Sequence, residues 1–285
     1  MKKLISVLSL VVLWPSGAAR AQLSPPNSLG VSMGHLHYNV QDVAANQKFW
    51  IALGATPVRM GKTEVLKFPE VLILLTRAES SGGTEGSVVN HVGFRVPNVN
   101  QFMAKMEAEG YKVAPSVIAP GKVGNVFSPE GERIELLEDL SENVQFTLDT
   151  QQENRRAPEQ KMTVPIILHH IHFYVPEGSV AEIKAWYVKV FGAVPGKRYH
   201  YEAADLPGVN LNFSGAPAKL EPTKGRRLDH IGFEVKNLQA FCKKLEAGGV
   251  KLTAPYKKDA SGIANAFLTD PWGTRIELTE GLNRL

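Results

Sequence analysis

A chain that carries the same three short strings twice, in the same order, is a tandem duplication, and that constrains its fold more than any other feature here. HLHYNV at 35–40 returns as HIHFYV at 170–175. NHVGFRV at 90–96 returns as DHIGFEV at 229–235, and GERIELLE at 131–138 as GTRIELTE at 273–280. Between the first two strings, Phe49-Trp50 with Leu53-Gly54-Ala55 matches Trp186-Tyr187 with Phe191-Gly192-Ala193. Such self-similarity marks repeated supersecondary units. It divides the 285 residues into a first domain over 29–140, a polar linker over 141–165 and a second domain over 166–285. Each copy is long enough to bury its own core.

Within each copy the order strand, helix, strands occurs twice. Period-two alternation over 35–40, 91–96 and their counterparts predicts strands. Helices follow over 98–109, with Asn98 as N-cap and Gly110 as stop, and over 237–247, stopped by Gly248-Gly249. Strands over 71–76 and 209–213 lie in the middle of the units. Hairpins close them around Pro-x-Gly turns at 129–131 and 271–273. The expected architecture is α+β: paired βαβββ modules whose curved mixed sheets surround a central cavity, with helices on one face.

Strand parity sorts the chemistry, because alternate side chains point to opposite faces. Leu36, Tyr38 and Val40 share one face, leaving His35 and His37 on the other; Ile171, Phe173 and Val175 likewise oppose His170 and His172. His91 and His230 oppose Val92 and Ile231. Glu135 and Glu277 oppose Ile134 and Ile276. A polar sheet face is the ordinary lot of a solvated antiparallel sheet, but solvation does not explain imidazoles returning at matched positions. Two histidines and a carboxylate from three strands suit a divalent metal, with Fe, Zn, Mn and Ni all compatible. Three protein ligands leave coordination positions open for substrate or water.

The first residues read as a secretory signal: Lys2 and Lys3, an apolar run over 4–14, then small residues to Ala21, with cleavage expected after Ala21. The run is too short for a bilayer-spanning helix of about 20 residues. The expected location is secreted or periplasmic, with no membrane attachment after cleavage. The formal charge of +4 falls to +1 once the three cations Lys2, Lys3 and Arg20 are removed. No basic stripe remains to release counterions from nucleic acid. With Cys242 as the one cysteine, no intrachain disulfide forms, and its place beside Phe241 and Leu245 suggests a buried, inert thiol.

These motifs, over about 29–282, resemble the vicinal-oxygen-chelate superfamily, which includes glyoxalase I, fosfomycin and bleomycin resistance proteins and type I extradiol dioxygenases. In that family the first-strand histidine stands five residues before the strand's closing valine, which places His35, His91, His170 and His230 in ligand positions. The closing-strand glutamates are Glu135 and Glu277. The resemblance implies a divalent-metal-dependent enzyme acting on a small oxygen-rich substrate, either a lyase or isomerase or a dioxygenase. The alternative is a small-molecule binding or sequestering protein. His37 and His172, two residues further along the same faces, are the candidate catalytic residues for acid/base work. Arg133 and Arg275 are expected to make structural pairs. The dioxygenase signature expects a His and a Tyr ahead of the last Glu; Phe267 stands in the Tyr place and no His lies between His230 and Glu277. The ligand sets are open to two arrangements, within one copy or exchanged so that His35 joins His230 and Glu277. A homodimer is also compatible with the sequence.

Overall fold

In the computed structural model, the structure describes residues 23–61, 63–139, 146–148, 161–217 and 219–285, the backbone alone for 146–148. The segment read as a signal and most of the segment read as linker lie outside these residues. Four modules follow one another. The first is β1 (Val31–Val40), α1 (Val43–Leu53), β2 (Thr56–Met60), β3 (Thr63–Phe68) and β4 (Val71–Arg77). The second is β5 (Val89–Val96), α2 (Val99–Ala108), β6 (Val113–Pro115), β7 (Val123–Phe127) and β8 (Arg133–Glu138). A short β9 (Phe146–Leu148), within the segment read as linker, precedes the second copy.

That copy repeats the pattern with β10 (Ile167–Pro176), α3 (Val180–Phe191), β11 (Val194–Arg198), β12 (Tyr201–Leu206) and β13 (Val209–Ala216). Its last module is β14 (Leu228–Val235), α4 (Leu238–Ala247), β15 (Leu252–Lys258), β16 (Ala264–Thr269) and β17 (Arg275–Glu280). Local signals explain the helix boundaries. Asp42 caps α1 by accepting from the Ala45 amide at 2.9 Å, and Asn98 caps α2 by accepting from Gln101 at 2.9 Å.

The modules do not pair with their neighbours in sequence. One sheet has eight strands in the order β15-β16-β17-β14-β1-β4-β3-β2, so it joins the first module to the fourth. The other has nine, β6-β7-β8-β5-β10-β13-β12-β11-β9, and joins the second to the third. The two joints are antiparallel and equivalent, β1 against β14 and β10 against β5. Each sheet therefore contains one module from each copy. This is the curved, mixed α+β architecture expected from the repeat, and it chooses between the two arrangements of the histidines: they are exchanged between copies.

Helices and apolar strand faces form one core between the sheets. Trp50 of α1 lies 6.2 Å from Phe94 of β5, and Phe191 of α3 lies 4.9 Å from Phe233 of β14, ring centroid to centroid. Trp50, Phe94, Phe191 and Phe233 are all buried, each such side chain contributing about 2–3 kcal/mol by its removal from water. Trp50, Tyr187 and Phe213 belong to this core, and Trp186 packs against it half-buried. These aromatics thus serve packing and leave the opposite sheet faces to the histidines.

The exchange has a consequence for the isolated second copy. Residues 166–285 alone would expose both joint strands, β10 and β14, which are templates for each other. The expected outcome is a homodimer in which β10 of one chain pairs with β14 of the next, seen as twice the chain mass by light scattering. A stable, cooperatively unfolding monomer would contradict the pairing.

Candidate metal centres

At the β1/β14 joint, His35 stands opposite Gly232 and His37 opposite His230, while β17 runs parallel to β14 with Glu277 beside Gly232. The three strands converge their polar side chains. His35 Nε2 and His230 Nε2 each lie 3.0 Å from Glu277 Oε2. His37 flanks them, its ring 4.6 Å from that of His230. One ligand atom from each of these four residues lies within 4.8 Å of the others.

The second joint repeats the arrangement with the copies reversed. His170 stands opposite Gly93 and His172 opposite His91, and Glu135 of β8 runs beside Gly93. His91 Nε2 and His170 Nε2 are 3.2 Å apart and lie 3.6 and 3.5 Å from Glu135 Oε2. His172 flanks this set, its ring 4.9 Å from that of His91.

These spacings fit a metal. Donors held about 2.0–2.1 Å from a common ion at angles of roughly 90–110° stand about 3.0–3.4 Å from one another. Two neutral imidazoles with one carboxylate are also the donor set that a catalytic divalent ion takes. His35, His230 and Glu277 would hold one ion, and His170, His91 and Glu135 another.

Each centre forces a glycine. The imidazole of His35 lies across Gly232 so closely that a Cβ there would stand 2.0 Å from Cε1; at Gly93 a Cβ would stand 2.2 Å from Cε1 of His170. The H-x-G spacing of the repeated strings therefore encodes a seat for the histidine of the other copy.

The surroundings set protonation. Burial would raise the Glu277 carboxyl, but hydrogen bonds and charge from His230 and His35 outweigh it and hold the group well below the usual carboxylate range. Burial also disfavours charge on His230, yet its bonds to Asp229 and Glu277 raise it overall. In the second centre burial dominates. It raises Glu135 against the opposing charges of His170 and Arg133, and it lowers His91, His170 and His172. Burial likewise lowers His37 to about 3, assisted by His230 and His35.

Several neighbours escaped the sequence reading. His37 Nε2 meets Thr76 Oγ1 at 2.7 Å, and His172 Nε2 meets Ser214 Oγ at 2.8 Å, the same imidazole–hydroxyl pair in both copies. The signal was present in the strings over 71–76 and 209–214, but only the parallel pairing of β4 with β1 and of β13 with β10 shows it. Asp229 Oδ1 lies 2.5 Å from His230 Nδ1, and Arg275 pairs with Asp229. In the second centre Asn90 takes the place of Asp229, and Arg133 Nη2 donates to Asn90 Oδ1 at 2.5 Å. Both arginines thus make structural pairs, neither with a ligand glutamate. Phe267, in the place where the dioxygenase signature has Tyr, stands edge-on to His230 and under the Arg275 guanidinium.

The first centre opens onto a cavity of about 560 Å³ whose walls include His35, Glu277 and Asn265 together with Met60, Leu74, Ile263, Leu282 and Leu285. In the second centre His172 is enclosed between Tyr174, stacked at 5.0 Å, and Tyr201, edge-on at 4.7 Å. Cys242 takes no part. It is buried, and burial together with Glu246 pushes its thiol up to about 11.

Comparison with known proteins agrees with this fold. Residues 167–278 match the profile of the Glyoxalase/Bleomycin resistance protein/Dioxygenase superfamily. Among solved structures the chain is similar to glyoxalase I from Zea mays, at 16% identity and a TM-score of 0.65, covering 89% of this chain and 94% of that one. A single-residue mutant of the maize enzyme gives the same TM-score of 0.65 at 14% identity, covering 90% and 95%. A protein from Bacillus subtilis subsp. subtilis str. 168, provisionally described as a dioxygenase, matches at a TM-score of 0.55 and 13% identity, covering 91% and 86%. A search of curated proteins by sequence gave no match. The second copy thus carries that superfamily's profile, and the whole chain has the fold of the two-domain structures it resembles.

The glycine seats give a direct test. Gly232→Ala should displace His35, cost about 1–3 kcal/mol by overpacking, and abolish metal uptake at the first centre while uptake at the second persists. Unchanged uptake at both, read by elemental analysis, would show that His35 is not held there for a metal.

Proposed function

We propose that this protein is an exported, divalent-metal-dependent enzyme of the glyoxalase/dioxygenase type that acts on a small substrate bearing vicinal oxygens. One observation carries the reading: at each joint two imidazole nitrogens and a carboxylate oxygen, brought from both copies, converge at ligand spacing. When bound, a divalent ion supplies Lewis-acid polarisation of coordinated oxygens and stabilises developing negative charge.

The chain's own residues supply the rest. Thr76 engages Nε2 of His37 and so orients the ring beside the ligand set, and burial keeps that imidazole neutral, as a hydrogen-bonding group beside the ligands. Ser214 does the same for His172. Asn265 donates to Glu277 Oε1 at 2.9 Å and fixes the carboxylate so that Oε2 faces the histidines. Met60, Leu74 and Ile263 give the first cavity an apolar wall.

Protein purified without chelator should contain Fe, Zn, Mn or Ni by elemental mass spectrometry. Chelation should lower its thermal midpoint, since saturation at a hundred times Kd contributes about 2.7 kcal/mol. His230→Ala with Glu277→Ala should remove one ion and the conversion of the responsive compound in a screen of catechols and 2-oxoaldehydes. Absence of metal, with no stability response to added ions, would refute the enzyme reading.

The apolar wall of the first cavity favours a second reading, a protein that binds and sequesters a small molecule. Recovery of the compound unchanged from a tight complex would establish it.

Export rests on the sequence over 1–21. No helix among the described residues is long and apolar enough to cross a membrane. The intact mass of protein recovered from the periplasm or medium should correspond to a chain beginning at Gln22; a full-length mass confined to the cytoplasm would contradict export.

A further inference from the structure

The two centres share a ligand set but not the residue that supports it. His230 Nδ1 lies 2.5 Å from Asp229 Oδ1, a carboxylate whose other oxygen accepts from the Gly225 amide at 2.7 Å. The corresponding His91 Nδ1 lies 2.9 Å from Asn90 Oδ1, a neutral amide, and 2.8 Å from Arg133 Nη2, a cationic donor. Both outer residues occupy the same irregularity of the joint, where the register shifts between His37 and Tyr38 and again between His172 and Phe173. The backbone frame is thus the same and the chemistry differs.

We infer that the two metal centres are unequal by construction: the His35, His230, Glu277 centre binds a divalent cation tightly and the His170, His91, Glu135 centre weakly, with Asp229 against Asn90 as the cause. The inference rests on the proposed metal function and deepens it.

Charge comes first. Around the first centre Glu277 and Asp229 carry two negative charges against Arg275; around the second Glu135 faces Arg133, and Arg198, which also acts on His170, is balanced by its pair with Asp205. A dication meets a net negative site in one case and a neutral one in the other. The tautomer follows. A carboxylate at Nδ1 keeps a proton on that nitrogen and leaves the Nε2 lone pair for the metal. At His91 the guanidinium competes: donation from Arg133 to Nδ1 requires the lone pair there, which moves the proton to Nε2 and blocks the ligand atom.

One difference runs the other way. His35 Nδ1 is buried with no hydrogen-bond partner among the described residues, whereas His170 Nδ1 meets His169 Nδ1 at 2.9 Å. That is one bond between two imidazoles, set against a full charge and a tautomer. Loss of an outer partner to a ligating histidine typically lowers metal affinity about 10–100-fold, and the charge difference acts in the same direction.

Access agrees with this order. The first centre lies on the wall of the 560 Å³ cavity, while His172 in the second is shut between Tyr174 and Tyr201.

The test titrates metal-free full-length protein with Co(II), read by calorimetry and by the visible absorption of the bound ion. Wild type should show two classes of site separated by at least ten-fold. The tight class should vanish in His230→Ala and persist in His170→Ala. Asp229→Asn should weaken the tight class about ten-fold or more, and Asn90→Asp should tighten the weak one by a similar factor. That last gain of affinity cannot come from misfolding. Two indistinguishable classes, a tight class that survives His230→Ala, or no response to Asn90→Asp would overturn the inference. Failure of every form to bind Co(II) would overturn the metal reading beneath it.

Discussion

The antiparallel pairing of β1 with β14, and of β10 with β5, is the interaction on which the rest depends. Each joint lays an H-x-H strand from one copy against an H-x-G strand from the other, so that the imidazole of His35 or His170 crosses a residue with no side chain. The glutamate then arrives on a strand parallel to the H-x-G strand and one place further out. No single copy contains a complete set in one sheet. Duplication is therefore a condition of the site as well as a feature of the sequence.

Within that common frame the two sheets have diverged in what surrounds the histidines. Leu74 stands beside His37 in the first sheet, and Asn212 beside His172 in the second. At the ends of the adjoining hairpins, Met60 pairs with Thr63 in the first sheet and Arg198 with Tyr201 in the second. Arg198 and Asp205 form a two-bond pair at 2.9 and 2.8 Å where the first sheet has Met60 and Lys67. The first face therefore borders a cavity with a largely apolar wall, and the second carries polar groups at the matching positions. This divergence suits a division in which one joint handles substrate and the other chiefly holds the copies together.

Much of this was legible from the residues. The repeat gave the modules, and period-two alternation put His35, His91, His170, His230, Glu135 and Glu277 on polar faces because strand parity is a local property. Which modules share a sheet was not legible, since pairing between strands roughly 70 to 200 residues apart leaves no mark in a short sequence window. Two polar neighbours are not visible from parity. By alternation Asp229 and Asn90 would face away from His230 and His91, but the register shift at each joint brings them to the ring nitrogens. The hydroxyls of Thr76 and Ser214 were hidden for the same reason as the sheet order: they become neighbours of His37 and His172 only through pairing.

If each ion is held by both copies at once, anomalous diffraction from crystals grown with Co(II) will show it. A peak is expected about 2.0–2.2 Å from His35 Nε2, His230 Nε2 and a Glu277 oxygen, with a weaker one among His170, His91 and Glu135. Peaks bound by histidines of a single copy, or none at either joint in Co(II)-loaded protein, would contradict it.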